Sequence, residues 1–362
     1  MKFRFDNSKP YAVALEGGGA RGAYQVGAWR ALEENGVKFC AVAGSSVGAL
    51  NGAMIAMRDL PTAEVLWNDM SFSRVMNVND EDMRRLFAGK LLELDFKHIG
   101  SGLKKIVKDG GFDVTPLRRL IAETVDVDKI KASPIRLFIC AHSITDHKGI
   151  DIDVKSLPVS DIHDMLLASA YFPAFKHEPL CGKMYTDGGV SNVLPLSPLI
   201  DNGYKDIISI RLYGFGVEKK VKIPKGTTVI EIAPKRDLGK TLNFDADACR
   251  KNYRLGYFDT MRMLYGLYGE RYYIDRTLSE EDAYKILCKT VKLKRSSAEK
   301  NLRSLHEEML KFAKESGSKG DYYDVLIAYA EKSAEKFKID ELGICTDVGL
   351  LEKIAQKKGG HI

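Results

Sequence analysis

The sequence predicts an α/β protein, a three-layer α/β/α sandwich around a mostly parallel sheet, followed by a mainly helical C-terminal extension. Two observations carry the sandwich: apolar runs of strand length at 11–15, 39–43, 135–144, 206–212 and 227–232 alternate with helix-like stretches through about Pro234, and two of these runs break directly into glycine-rich turns that lead into helices. A third observation carries the extension. Beyond Leu278 the chain is charged and helix-like, with capping boxes at Ser279 to Asp282 and Ser296 to Glu299. The domain boundary is therefore expected near residue 260, with 1–260 forming the α/β domain and 261–362 the extension.

A chain of 362 residues can bury a full core, and 45% hydrophobic with 29% charged residues is the composition of a globular protein. The net charge of +6 favours an anionic surface such as phospholipid, or is simply a solvated lysine-rich face. No Lys/Arg cluster is interleaved with aromatics, which argues against nucleic acid as a partner. Cys40, Cys140, Cys181, Cys249, Cys288 and Cys345 are scattered without a CxxC pair, so free, buried thiols and a reducing, cytoplasmic setting are expected. The N-terminal residues contain no apolar signal core. The uncharged window 39–57 is long enough to span a bilayer, but its Gly, Ser and Asn content reads better as strand, turn and helix.

The first strand, 11–15, opens into Glu16-Gly17-Gly18-Gly19-Ala20-Arg21-Gly22 and a helix from about Ala23 to Glu34, closed by Asn35-Gly36. A second strand runs into Gly44-Ser45-Ser46-Val47-Gly48. Residues 60–131 read as a helical cover or lid, with amphipathic pieces at 64–70, 80–94 and 102–108 and apolar positions that include Leu86, Phe87, Leu91, Leu92, Leu94 and Phe96. Thr115 is expected to cap a helix that has Pro116 in its first turn. A strand at 135–144, a half-buried one at 149–154 and a helix opened by Ser160 lead to Ala168-Ser169-Ala170-Tyr171-Phe172-Pro173. Asp187-Gly188-Gly189 then follows a short strand.

Gly44 and Gly48 flank Ser46 as GxSxG, the pattern of a nucleophile elbow. A serine at a sharp strand-to-helix turn needs neighbours without bulk, and the helix start behind it favours developing negative charge. The loop from Gly17 to Gly22 offers backbone N–H groups to an anion. Gly17, Gly19 and Gly22 satisfy GxGxxG, which also fits a dinucleotide. That fingerprint wants an acidic residue at the end of the second strand, whereas here the second strand ends in Ser46. An oxyanion hole involving Arg21 is the stronger reading. Serine needs a base within reach. His306 lies in a Lys/Glu-rich helix and His361 is penultimate, so no histidine after Asp187 suits a triad, and Asp187 remains as direct base. Alone, Asp-Gly-Gly is an ordinary turn.

Taken together, the glycine loop, the elbow, the segment from Ala168 to Pro173 and Asp187-Gly188-Gly189, in this order, resemble the patatin-like phospholipases over about residues 10–260. The resemblance implies a Ser46–Asp187 dyad and an oxyanion hole from Gly17, Gly18, Gly19 and Arg21. Gly22, Gly44, Gly48, Gly188 and Gly189 would be supporting positions. It also implies a phospholipid or other acyl-ester substrate cleaved without calcium, metal or cofactor, with peripheral membrane contact. One departure is Glu16, where plant members often carry aspartate. The alternatives are acyl transfer at the same site, a Rossmann-like nucleotide module on the same glycines, and a scaffold with an idle dyad.

Overall fold

The computed structural model describes residues 1–87, 110–290, 307 and 321–359. The expected helix at 102–108, the end of the one at 80–94 and the capping box at 296–299 lie outside these residues. By contacts, the chain divides into one unit of Asp6–Thr260 and another of Met1–Phe5 with Met261–Ile362.

In the larger unit, strands β1 (Pro10–Leu15), β2 (Lys38–Ser45), β3 (Arg136–Ser143), β4 (Lys148–Asp153), β5 (Tyr185–Asp187), β6 (Asp206–Ile210) and β7 (Thr228–Ile232) form one sheet. Its order is β4-β3-β2-β1-β6-β7, with β5 also pairing β3. Strands β3, β2, β1, β6 and β7 are parallel, while β4 and β5 run antiparallel to β3. The central strands β1, β2, β3 and β6 are buried along most of their length, as strands covered on both faces are. Ala12, Ala14, Ala41 and Ala43 pack with Leu194 and Leu199 on one face. On the other face lies helix α2 (Val47–Met57), following α1 (Ala23–Glu34) in the chain. A Cβ on Gly48 of α2 would stand 2.3 Å from the Leu15 carbonyl oxygen, and one on Gly52 would stand 3.2 Å from Val42. The bare helix ridge lets α2 lie directly on the strands.

The third strand decides where the site forms. Strand β4 occupies one edge of β3 from Phe138 to Ser143, so β2 and β5 must share the other. Ser45 at the end of β2 pairs with Cys140, and Asp187 at the end of β5 pairs with the next residue, Ala141. The two strands meet end to end on one edge.

Helices α3 (Leu60–Asn68), α4 (Phe72–Val75), α5 (Asp80–Phe87), α6 (Thr115–Thr124) and α7 (Val127–Ala132) follow α2. Thr115 is inside α6 rather than capping it, because the Asp113 carboxylate takes both its N–H and its hydroxyl. Ser160 falls in a 3-10 turn, and helix α8 (Ile162–Ser169) starts after Asp161. Strand β6 stops at Ile210, short of the expected Leu212, because the Glu16 carboxylate accepts the N–H groups of Leu212 and Tyr213. A short helix, α9 (Ser197–Asp201), precedes β6, and the boundary at residue 260 falls inside α10 (Ala246–Tyr265).

The smaller unit contains two short strands besides its helices. Strands β8 (Tyr273–Asp275) and β9 (Ile344–Thr346) pair in parallel, beside α11 (Glu280–Thr290), α12 (Tyr322–Lys336) and α13 (Asp347–Lys358). Tyr272, Ile274, Leu287, Leu326, Leu350 and Ile354 form its core. The buried Asp347 carboxylate accepts from Thr277, Leu278 and the Tyr323 hydroxyl. Among the described residues no helix is long and apolar enough to cross a membrane. All six cysteines are free. Cys140 and Cys249 are buried, but Cys181 is exposed, contrary to a wholly buried set.

A closed polar network ties the glycine loop to three helices. Asn51 donates to the Gly22 carbonyl and to Gln25 Oε1, Gln25 donates to the Glu16 carbonyl, and Trp67 Nε1 donates to Asn51 Oδ1. All of these groups are buried, so breaking the network strands several at once. Asn51→Ala is expected to lower the unfolding free energy by about 3 kcal/mol, read as a fall in the urea midpoint; an unchanged midpoint would contradict this role.

Candidate active site

Ser46 sits between β2 and α2 with φ 55° and ψ −126°, a backbone region that L side chains rarely adopt. The turn closes this tightly only because Gly44 has no side chain: a Cβ there would lie 2.1 Å from the Gly48 carbonyl oxygen. The Ser46 N–H donates to Ser169 Oγ at 3.0 Å, and the Ser169 hydroxyl donates in turn to the Cys140 carbonyl at 2.5 Å. A buried hydroxyl at the end of α8 thus fixes the strained residue.

The Ser46 hydroxyl donates to Asp187 Oδ2 at 2.5 Å, although the two residues are 141 positions apart. The other carboxylate oxygen, Oδ1, accepts the Gly189 N–H at 2.7 Å. Asp187 is placed by β5 and by its own N–H, which donates to the Tyr171 carbonyl at 2.9 Å. The segment from Ala168 to Pro173 therefore braces both partners, through Ser169 on one and Tyr171 on the other. Burial raises the Asp187 carboxyl to about 6, against the smaller lowering effects of the Ser46 and Gly189 hydrogen bonds. Gly188 packs beneath the Cys140 carbonyl, where a Cβ would come within 2.2 Å of the oxygen. Gly22 is held against Val47 and Trp67. Among the described residues no histidine hydrogen-bonds to Ser46 or Asp187. His142 instead meets the Ser191 hydroxyl through Nδ1, and His163 meets the Val125 carbonyl.

The glycine loop lies against the serine: a Cβ on Gly17 would be 3.3 Å from that of Ser46. Its amides are unequally available. Gly17 donates to the Val193 carbonyl, Ala20 to Thr241 and Arg21 to Gly18. The amides of Gly18 and Gly19, and that of Val47 at the start of α2, meet no acceptor among the described residues. Of the four residues expected to form an oxyanion hole, Gly18 and Gly19 thus keep open amides, whereas the Gly17 N–H is engaged by Val193. The Arg21 guanidinium donates to the carbonyls of Gly239, Leu212 and Tyr213. It braces the loop, because three converging carbonyl oxygens satisfy it there.

Ser46 and Asp187 open into a cavity of about 280 Å³. Leu50 and Met54 succeed Ser46 at four-residue steps and line the cavity, so it runs down one face of α2 for about 12 Å. Leu66 and Trp67 of α3, with Leu117 and Ile121 of α6, form further wall. Among the described residues, Asp187 is the one charged side chain in the lining. Among the described residues no group of three or more His, Cys, Asp or Glu side chains is arranged to hold a metal ion.

The buried carboxylate has a stability signature. Its folded-state value near 6 exceeds the ordinary 3.8, so the native protein holds a proton more tightly than the unfolded chain. Ionisation therefore costs stability progressively as pH rises from about 4 to 6. Asp187→Asn is expected to stabilise the protein by about 2–3 kcal/mol at pH 7–8, with the gain vanishing below pH ~4. Chemical denaturation across this pH range checks both the sign and the window; a destabilised variant at pH 8 would contradict the assigned cause.

Known proteins resemble the chain as follows. The profile of the family described as Patatin-like phospholipase matches residues 13–200. Lysophospholipase nte1 of Aspergillus terreus is 52% identical over 44 residues, which are 12% of this chain and 3% of that protein. Among solved structures, VipD from Legionella pneumophila aligns at 14% identity and a TM-score of 0.46, covering 97% of this chain and 85% of that one. ExoU, solved with SpcU from the type III secretion system of Pseudomonas aeruginosa, aligns at 14% identity and a TM-score of 0.33, covering 96% and 78%. The family profile spans more than half of the sequence and takes in the glycine loop, Ser46, Ser169 and Asp187. The chain belongs to the patatin-like phospholipase family.

Proposed function

We propose that the protein hydrolyses carboxylic esters of lipids, as a phospholipase A or lysophospholipase, through Ser46 as nucleophile and Asp187 as its base. The observation that carries this reading is the 2.5 Å Ser46–Asp187 hydrogen bond at the mouth of an apolar cavity. Asp187 takes the proton as Ser46 Oγ attacks the ester carbonyl. The free amides of Gly18, Gly19 and Val47 receive the oxyanion, where fixed dipoles in a dry site are worth far more than in water. Collapse expels the alcohol, which takes the proton from Asp187 and leaves an acyl group on Ser46. Water then attacks this ester, giving its proton to Asp187, and release of the acid returns the proton to Ser46. No step calls on calcium.

The lining favours an acyl chain over a nucleotide, since among the described residues it is almost wholly apolar and holds no cation to pair with a pyrophosphate. A zigzag chain built from bonds of about 1.5 Å places on the order of ten carbons in a 12 Å run. Each buried methylene contributes about 0.8 kcal/mol, or about fourfold in kcat/KM, until the run is filled.

Fatty-acid release from lysophospholipid and from a series of acyl esters tests the proposal. Ser46→Ala is expected to lose at least about 10³-fold in kcat. The wild type is expected to gain about fourfold per methylene up to on the order of ten carbons, and to be unaffected by a chelator. Because Asp187 must be ionised to act, kcat/KM should rise with pH through about 6 and then level off. Undiminished turnover in the serine variant refutes the assignment.

A further inference from the structure

The rim of the cavity bears a feature that ester chemistry does not need. After β6 the chain runs through an irregular segment where Tyr213, Phe215 and Val217 are exposed at 56%, 90% and 55%, and Ile223 at 42%. Large apolar side chains concentrated this way mark an interaction surface. Phe215 and the exposed Val190 both line the acyl cavity, which places them where it meets solvent. The same segment carries Lys219, Lys220, Lys222 and Lys225, all exposed. None of the four pairs with a carboxylate among the described residues. The only acid in the segment, Glu218, accepts from both terminal nitrogens, Nη1 and Nη2, of the Arg211 guanidinium, at 2.9 and 2.7 Å. The segment therefore presents an apolar tip flanked by unneutralised positive charge.

Its base is fixed to the site. The Val217 N–H donates to the Gly189 carbonyl and the Val193 N–H to the Val217 carbonyl, each at 2.8 Å. Glu16 holds the amides of Leu212 and Tyr213, and Arg21 holds their carbonyls. The bracing found for Arg21 thus keeps Phe215 projecting at the opening.

We infer that the segment 213–225 docks the cavity mouth onto an anionic lipid bilayer, with Tyr213, Phe215 and Val217 entering the acyl boundary and the four lysines on the headgroups. The choice of partner rests on reading the cavity as an acyl site. An ester leaving a bilayer must bring its chain from hydrocarbon to Ser46, and an apolar rim seated in the membrane gives it a path that avoids water. Lysines at the rim match the negative surface of such a bilayer.

The test is flotation of the full chain carrying Ser46→Ala, so that no lipid is consumed, with vesicles of phosphatidylcholine alone or with a minority of phosphatidylserine. Failure of docking and failure of ester hydrolysis are then separate outcomes. Binding is expected on the anionic vesicles and weakened by salt. Each lysine near the surface strengthens partitioning about fivefold, so K219Q/K220Q/K222Q/K225Q is expected to bind on the order of several hundredfold more weakly at low salt. Phe215→Ser is expected to lose on the order of thirtyfold through lost burial. Both variants should melt at the wild-type temperature. Equal flotation of wild-type and quadruple-variant loops, equal flotation on both vesicle types, or none on either would overturn the inference.

Discussion

The site depends on one strand edge shared by two others. Because β4 fills the far edge of β3, strands β2 and β5 end against each other on the near one, with Ser45 opposite Cys140 and Asp187 opposite Ala141. Residues 141 positions apart are thereby set within one hydrogen bond. A shift of β5 by one residue would turn Asp187 to the opposite face of the sheet, since side chains alternate along a strand. Register, more than any local motif, makes the pair.

That geometry is held against two adverse local preferences. Ser46 occupies backbone space suited to glycine, a cost of about 1–3 kcal/mol, and Asp187 is a carboxylate removed from water. Around them the structure is over-determined: Ser169 fixes the Ser46 amide, Tyr171 fixes that of Asp187, and the network of Asn51, Gln25 and Trp67 fixes the glycine loop. Strain and dryness are also what such chemistry uses. A serine thrust out of its turn and a base raised toward neutrality are poised to react.

The elbow was legible in the sequence because sterics restrict its neighbours to glycine, and the sheet was legible because its central strands are buried on both faces and read as unbroken apolar runs. Asp187 could be picked out only in combination with the other motifs, since Asp-Gly-Gly alone is an ordinary turn. Ser169 and Tyr171 stood inside a recognised segment, yet their work is done by a hydroxyl and a backbone carbonyl toward residues far off in the chain, and composition carries no trace of that. Arg21, expected at the oxyanion hole, has its guanidinium engaged elsewhere for a physical reason. A cation beside an anion-binding loop reads as a partner for the anion, but backbone carbonyls from 212, 213 and 239 reach it first. The two short strands of the smaller unit, three residues each, fall below the length at which periodicity can be read.

The central claim is that the carboxylate of Asp187 activates Ser46 directly. Mass-spectrometric mapping of the residue modified by a fluorophosphonate, with its rate followed across pH, tests this most directly. The account predicts a single adduct on Ser46 that forms faster as pH rises through about 6 and is nearly abolished by Asp187→Ala. An adduct on another residue, or one on Ser46 whose rate is indifferent to the loss of Asp187, would contradict it.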